Sequence, residues 1–388
     1  MNVLAKAAKS SKDITGRKIA SLRQQDKKYK ESYLKWQMEH RDDIGFYLSD
    51  KAGEYTYRQG EGFINQNPEA SESFVLDRVH TTIAISLISC LIMRIFCVII
   101  LPYAVIDMHI AADMTQMGYF SGNTLSSVVI NYISQFARYI VPIIFVMLQI
   151  KIPRSLAFPT EIRNKPLFFE SIPAVMVVYG ISVVFSGGYY VILDKLNIET
   201  QIYVPLSDNR TVFMMNVLLI TVIVPILNEL LVRGIFMQML KQFGDGYALI
   251  ITAIISAFME GSVRSVFIVF TCALLLGYFS LRTGSIITPI IMKIALSSLS
   301  FWIPYVKFTG LSTKNVYLLS YAIAAALLII GGILTMMFVR KHSDKIALPI
   351  SNIYMSTYSK AMDCVTNPAV VIFLALLFVY HAASGSLW

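Results

Sequence analysis

Long apolar runs alternate with short polar connections over most of this chain. The runs lie near 81–106, 125–150, 171–193, 211–232, 247–263, 265–281, 285–305, 316–339 and 365–383. Crossing about 30 Å of hydrocarbon takes roughly 20 helical residues, so this pattern predicts nine spans. The fifth and sixth runs are short. The seventh contains Pro289 and Pro304, which bend or end a helix. A count of eight leaves the last run lying in the interface. One run is followed by an anomaly: "NELLVRGIFMQML", 228–240, places Glu229 and Arg233 four residues apart where an apolar helix should carry no charge.

Composition agrees with the pattern. Hydrophobic residues make up 56% of 388 and mean hydropathy is +0.61, too apolar for a soluble domain of this size. Charge adds orientation. Nine lysines and arginines lie between Lys6 and Lys30, which predicts a cytoplasmic N-terminus. With nine spans, the connections at 151–170, 233–246, 282–284 and 340–364 are cytoplasmic too, and they hold 11 of the 19 basic residues beyond residue 80. The net charge of +9 therefore reports membrane topology. It does not call for nucleic acid, since no basic groove with a folded reader is visible.

The first 80 residues are polar and carry no cleavable signal pattern. For residues 14–40 two readings stand: a basic amphipathic helix on an anionic leaflet, or a solvated tail. Residues 53–73, rich in Gly, Asn, Ser and Glu, read as a linker. Cys90, Cys97, Cys272 and Cys364 form no CxxC pair, so neither a disulfide framework nor a zinc cluster is expected. Ionisable groups at membrane depth are costly and mark function, or else pair with one another. Between 211 and 305 the candidates are Glu229, Arg233, Asp245, Glu260, Arg264, Arg282 and Lys293. Asp245 and Arg282 fall in turns and are expected to be wet. Arg264 sits at a boundary and can snorkel. Glu229 and Arg233 share a helix face and can pair directly.

With "NELLVRG", "GDGYALIITAIISAFMEGS" and "LLLGYFSLRTGSIITPIIMKIALSSLS" in this order and spacing, residues 211–300 resemble the core of the CPBP family. These are the type II CAAX prenyl proteases and the related bacteriocin-processing and self-immunity proteins. The resemblance implies glutamate-dependent peptide hydrolysis. A carboxylate and a His would activate water, and a second His with an Asn would hold the oxyanion. The family's Glu-Glu pair falls on Asn228 and Glu229, and its Arg on Arg233. Its first His falls on Glu260, its second on Lys293, and its Asn on Ser297. The chain's histidines are His40, His80, His109, His342 and His381. With none between 110 and 341, no shift of alignment restores a histidine site, and no His-ligated metal is expected in the core.

The resemblance thus implies a degenerate site at Asn228, Glu229, Arg233, Glu260, Lys293 and Ser297. It would bring Glu260 and Lys293 within salt-bridge reach, and a carboxylate paired with an ammonium is a poor base near neutral pH. The expected architecture is an all-α polytopic transmembrane bundle of eight or nine spans. It divides into a basic tail and linker (1–80), accessory spans (81–200), a CPBP-like core (201–310) and C-terminal spans (311–388). No cofactor is expected. The expected partners are membrane lipid and a membrane-bound peptide or protein, in a bacterial cytoplasmic membrane. A transporter reading lacks support, because no inverted repeat is present.

Overall fold

The structure, a computed structural model, describes residues 55–58, 62–65, 68–97, 125–150, 154–195, 209–260, 266–308, 313–342, 346 and 354–383. The reading of 14–40 lies outside them. A small antiparallel hairpin, β1 (Tyr55–Arg58) and β2 (Gly62–Asn65), precedes the helices of the described residues. The helices are α1 (Pro68–Ile95), α2 (Leu125–Ile150), α3 (Lys165–Lys195), α4 (Arg210–Phe243), α5 (Asp245–Glu260), α6 (Val266–Thr283), α7 (Ile287–Phe308), α8 (Thr313–Lys341), α9 (Thr357–Thr366) and α10 (Pro368–Ala383).

The protein is an all-α membrane bundle. Among the described residues six helices are long and apolar enough to cross a bilayer, or seven if α9 and α10, bent by 63°, make one broken span. The apolar stretches Asp245–Met259 of α5 and Ile287–Phe301 of α7 are shorter, and they account for the gap between this count and the eight or nine expected.

Two expectations are corrected. The presumed linker 53–73 holds the hairpin and the start of α1. Pro68 opens that helix, where a missing N–H costs nothing, and Glu69 lies in its first turn. The fourth span does not end at 232, because α4 continues to Phe243 as one 34-residue helix. Asn209 starts it by accepting from the Thr211 amide at 3.0 Å, a side-chain N-cap. Gly244, at φ 121°, ends it. Pro225 cannot donate to the carbonyl four residues back, and a π-helical segment, Leu219–Ile223, immediately precedes this region. A bulge of this kind absorbs a missing helical bond.

Two apolar clusters form the core. One joins α1, α2, α4, α5 and α10 around Leu76, Tyr139, Leu231, Phe236 and Phe373. The other joins α3, α6, α7 and α8 around Leu167, Tyr179, Leu276, Met292 and Ala324. α8 packs on α3 through glycines. A Cβ on Gly180 would lie 2.7 Å from Leu328 Cβ, and one on Gly331 would lie 2.8 Å from Met176 Cβ. Small residues allow such close approach between membrane helices. Gly180→Leu and Gly331→Leu should each cost about 1–3 kcal/mol or more through overpacking, read as a lower thermal midpoint in detergent. Gly332→Ala, with nothing within 4 Å of the added carbon, should leave the midpoint unchanged.

Connections that charge assigns to one side of the membrane meet in pairs. The Arg163 amide donates to Thr283 O at 3.0 Å, and the Ile286 amide donates to Pro159 O at 2.8 Å. Lys360 Nζ donates to Phe243 O at 2.7 Å. Asp245 and Arg282 are half-buried there rather than open to solvent.

Candidate functional site

The anomalous charges sit on α4 at a second π-helical segment, Leu230–Phe236, which begins directly after Glu229 and contains Arg233. π-Bulges occur frequently at functional sites. Glu229 is fully buried and Arg233 is 1% exposed. Arg233 Nε lies 3.3 Å from Glu229 Oε2, and Nη1 donates to Oε1 at 3.5 Å. The guanidinium reaches further. Nη1 donates to Ser256 Oγ on α5 at 2.8 Å, and Nη2 donates to Ala273 O on α6 at 2.8 Å. Ser256 in turn donates to Thr252 O at 2.9 Å. One arginine therefore fastens three helices, and its planar fork of donors suits that use better than a lysine would. Phe158 covers the same turn. Its ring lies 2.6 Å from where a Gly234 Cβ would stand, so only glycine permits this packing.

Asn228 is buried beside Glu229, with Nδ2 3.5 Å from the Tyr139 hydroxyl of α2. The neighbouring Arg138 donates to Met259 O, next to Glu260 at the end of α5. The accessory helix α2 thus touches both helices that carry the first two motif positions. Lys293 and Ser297 are half-buried, one turn apart on α7, and α7 packs against α4. The Glu260 side chain lies outside the described residues, and with it the expected pairing to Lys293. Arg264 lies outside them as well.

Sequence reasoning missed Ser256, Tyr139 and Arg138. Ser256 stands one helical turn before Glu260 and was within reach of a spacing argument. Arg138 is a charge inside the apolar run 125–150, outside the segment 211–305 that carries the family resemblance.

A second buried polar cluster was also missed. Lys360 on α9 pairs with Glu72 of α1 at 2.8 Å. The Glu72 Oε2 atom accepts the amides of Tyr354 and Met355 at 2.8 and 2.7 Å. The Tyr247 hydroxyl lies 2.7 Å from His80 Nε2 and donates to Lys360 O at 3.2 Å. Asn367 Nδ2 donates to Asp77 Oδ1 at 2.7 Å, and its own Oδ1 caps α10. This cluster clamps the C-terminal segment and α1 onto the end of α4.

No curated protein and no solved structure matches the chain. A family model does match: residues 210–299 fit the type II CAAX prenyl endopeptidase, Rce1-like family. The match starts where α4 starts, ends inside α7, and takes in all six candidate positions from Asn228 to Ser297. The α4–α7 region, about a quarter of the chain, is thus similar to the CAAX-protease-type membrane proteins and supports a CPBP family assignment.

Proposed function

We propose that this protein is a catalytically impaired CPBP member that binds a membrane-associated peptide or protein without cleaving it, as a scaffold or immunity-type factor does. The observation that carries this reading is the state of Glu229. It is the one carboxylate retained from the family's acidic pair, and it is sealed from solvent against Arg233, which is itself tied to Ser256 and Ala273. A general base must reach the proton it abstracts, directly or through one water. A carboxylate with no exposed surface serves better as a strut than as a base.

The other positions support the same reading. Asn228, Glu260, Lys293 and Ser297 replace the groups that the family chemistry uses. On this reading Glu260 and Lys293 pair across the former histidine positions, since a lone charge in the bundle would be costly. The N-terminus lies in the cytoplasm on the charge pattern.

The reading is tested by restoring the lost acid. Asn228→Glu rebuilds the Glu-Glu pair but neither histidine, so the purified variant in detergent should cleave an apolar peptide no faster than buffer. Cleavage well above that background would overturn the assignment.

A further inference from the structure

We propose that the face where α4 and α6 end carries a binding site for the headgroup of an anionic phospholipid, built from Arg163, Lys241 and the turn at Gly284.

A small hollow opens there between three connections that are far apart in sequence. Arg163, Gln238, Lys241, Ser280 and Gly284 line it. Both cations are half-buried at its wall, and among the described residues no carboxylate lines it. The frame is built rather than incidental. The Arg163 amide donates to Thr283 O, the Ile286 amide to Pro159 O, and Ser285 Oγ to Thr160 O at 3.1 Å. Gly284 adopts φ 66°, a conformation that favours glycine. A Cβ there would stand 3.0 Å from Arg163 Cδ, so the glycine also leaves room for the arginine.

Charge and surroundings identify the occupant. The segments 154–165, 238–245 and 280–286 hold five cations (Arg154, Arg163, Lys165, Lys241, Arg282) against two carboxylates, Glu161 and Asp245. Asp245 feels both Lys241 and Arg282 but does not line the hollow. Glu161 is exposed. Basic pockets between membrane helices on the cytoplasmic side take anionic headgroups, and the positive-inside pattern assigns this face to that side. α3 starts at the rim, and its first turns expose Phe169 (65%) and Ile172 (53%). This apolar flank gives acyl chains a surface below the phosphate, which a free anion would not use. The site is independent of the peptide-binding reading. It is also coupled to the motif helix, because Gln238 Nε2 donates to Arg233 O at 3.4 Å.

The test uses the full chain in detergent, with thermal midpoints measured after adding phosphatidylglycerol, phosphatidylcholine or inorganic phosphate. Phosphatidylglycerol should raise the midpoint, and the other two should not. Arg163→Gln/Lys241→Gln should lose most of that rise while matching wild type in phosphatidylcholine. Lys195→Gln, an exposed cation at the far end of α3, should keep it. The rise should shrink at high salt, as exposed charges are screened. A full rise in the double variant would overturn the site, and an equal rise with inorganic phosphate would overturn the lipid assignment. Native mass spectrometry of the wild-type chain with equal amounts of the two lipids gives a readout that needs no variant. Phosphatidylglycerol adducts should predominate, and equal adducts would also overturn the proposal. Neither readout depends on peptide binding or on which side the face occupies.

Discussion

Arg233→Met is expected to remove most of the folded protein from the membrane. The substitution strands the fully buried Glu229 carboxylate and deprives Ser256 and Ala273 O of their donor. Breaking one half of a buried pair costs about 3–5 kcal/mol, a large share of the roughly 5–15 kcal/mol that holds a typical domain folded. Glu229→Leu/Arg233→Met should recover part of the loss, because neither charge is then left alone. Arg233→Lys should fall between, keeping the charge but not the fork that reaches two helices at once. Size-exclusion profiles and thermal midpoints measure all three. A single variant as stable as wild type would mean that the pair holds nothing together.

The second large effect is expected at the other end of the chain. Lys360→Met leaves Glu72 without its cation and Phe243 O without its donor. The carbonyl end of a helix favours a cation, so the variant also weakens the end of the helix that carries Glu229 and Arg233. A loss of about 3–5 kcal/mol follows from the stranded carboxylate. Glu72→Gln/Lys360→Met should regain much of it. Its remaining amide oxygen can still accept from Tyr354 and Met355, which bond Glu72 in wild type. Additive losses in the double variant, measured by thermal midpoint, would show that the two side chains do not act as a pair.

Hydropathy made most of the bundle legible. The run at 125–150 became α2 with the same limits, and 316–339 lies within α8. Periodicity failed where polar groups are satisfied by neighbours. Arg233 looked like an exit from the membrane, yet Ser256 and Ala273 of two other helices absorb its charge, so α4 runs on to Phe243. Lys360 falls in the connection 340–364 that charge assigns to the cytoplasm, yet it is buried against Glu72. Glu72 and Ser73 looked like linker residues because their polarity is used in a contact that only the fold creates. Within the site, the Glu229–Arg233 pair could be read from i,i+4 spacing. Tyr139 and Arg138 could not, since no local spacing says which accessory helix lies beside the core.

The proposed function rests on Glu229 acting as a strut rather than as a general base. The most direct test is a cleavage measurement by mass spectrometry on purified wild-type protein in detergent, with a mixture of apolar peptides and Glu229→Gln as its control. The account predicts no cleavage products above buffer for either protein. Products formed by wild type and abolished in a folded Glu229→Gln variant would contradict it, because the carboxylate would then be reaching water and substrate.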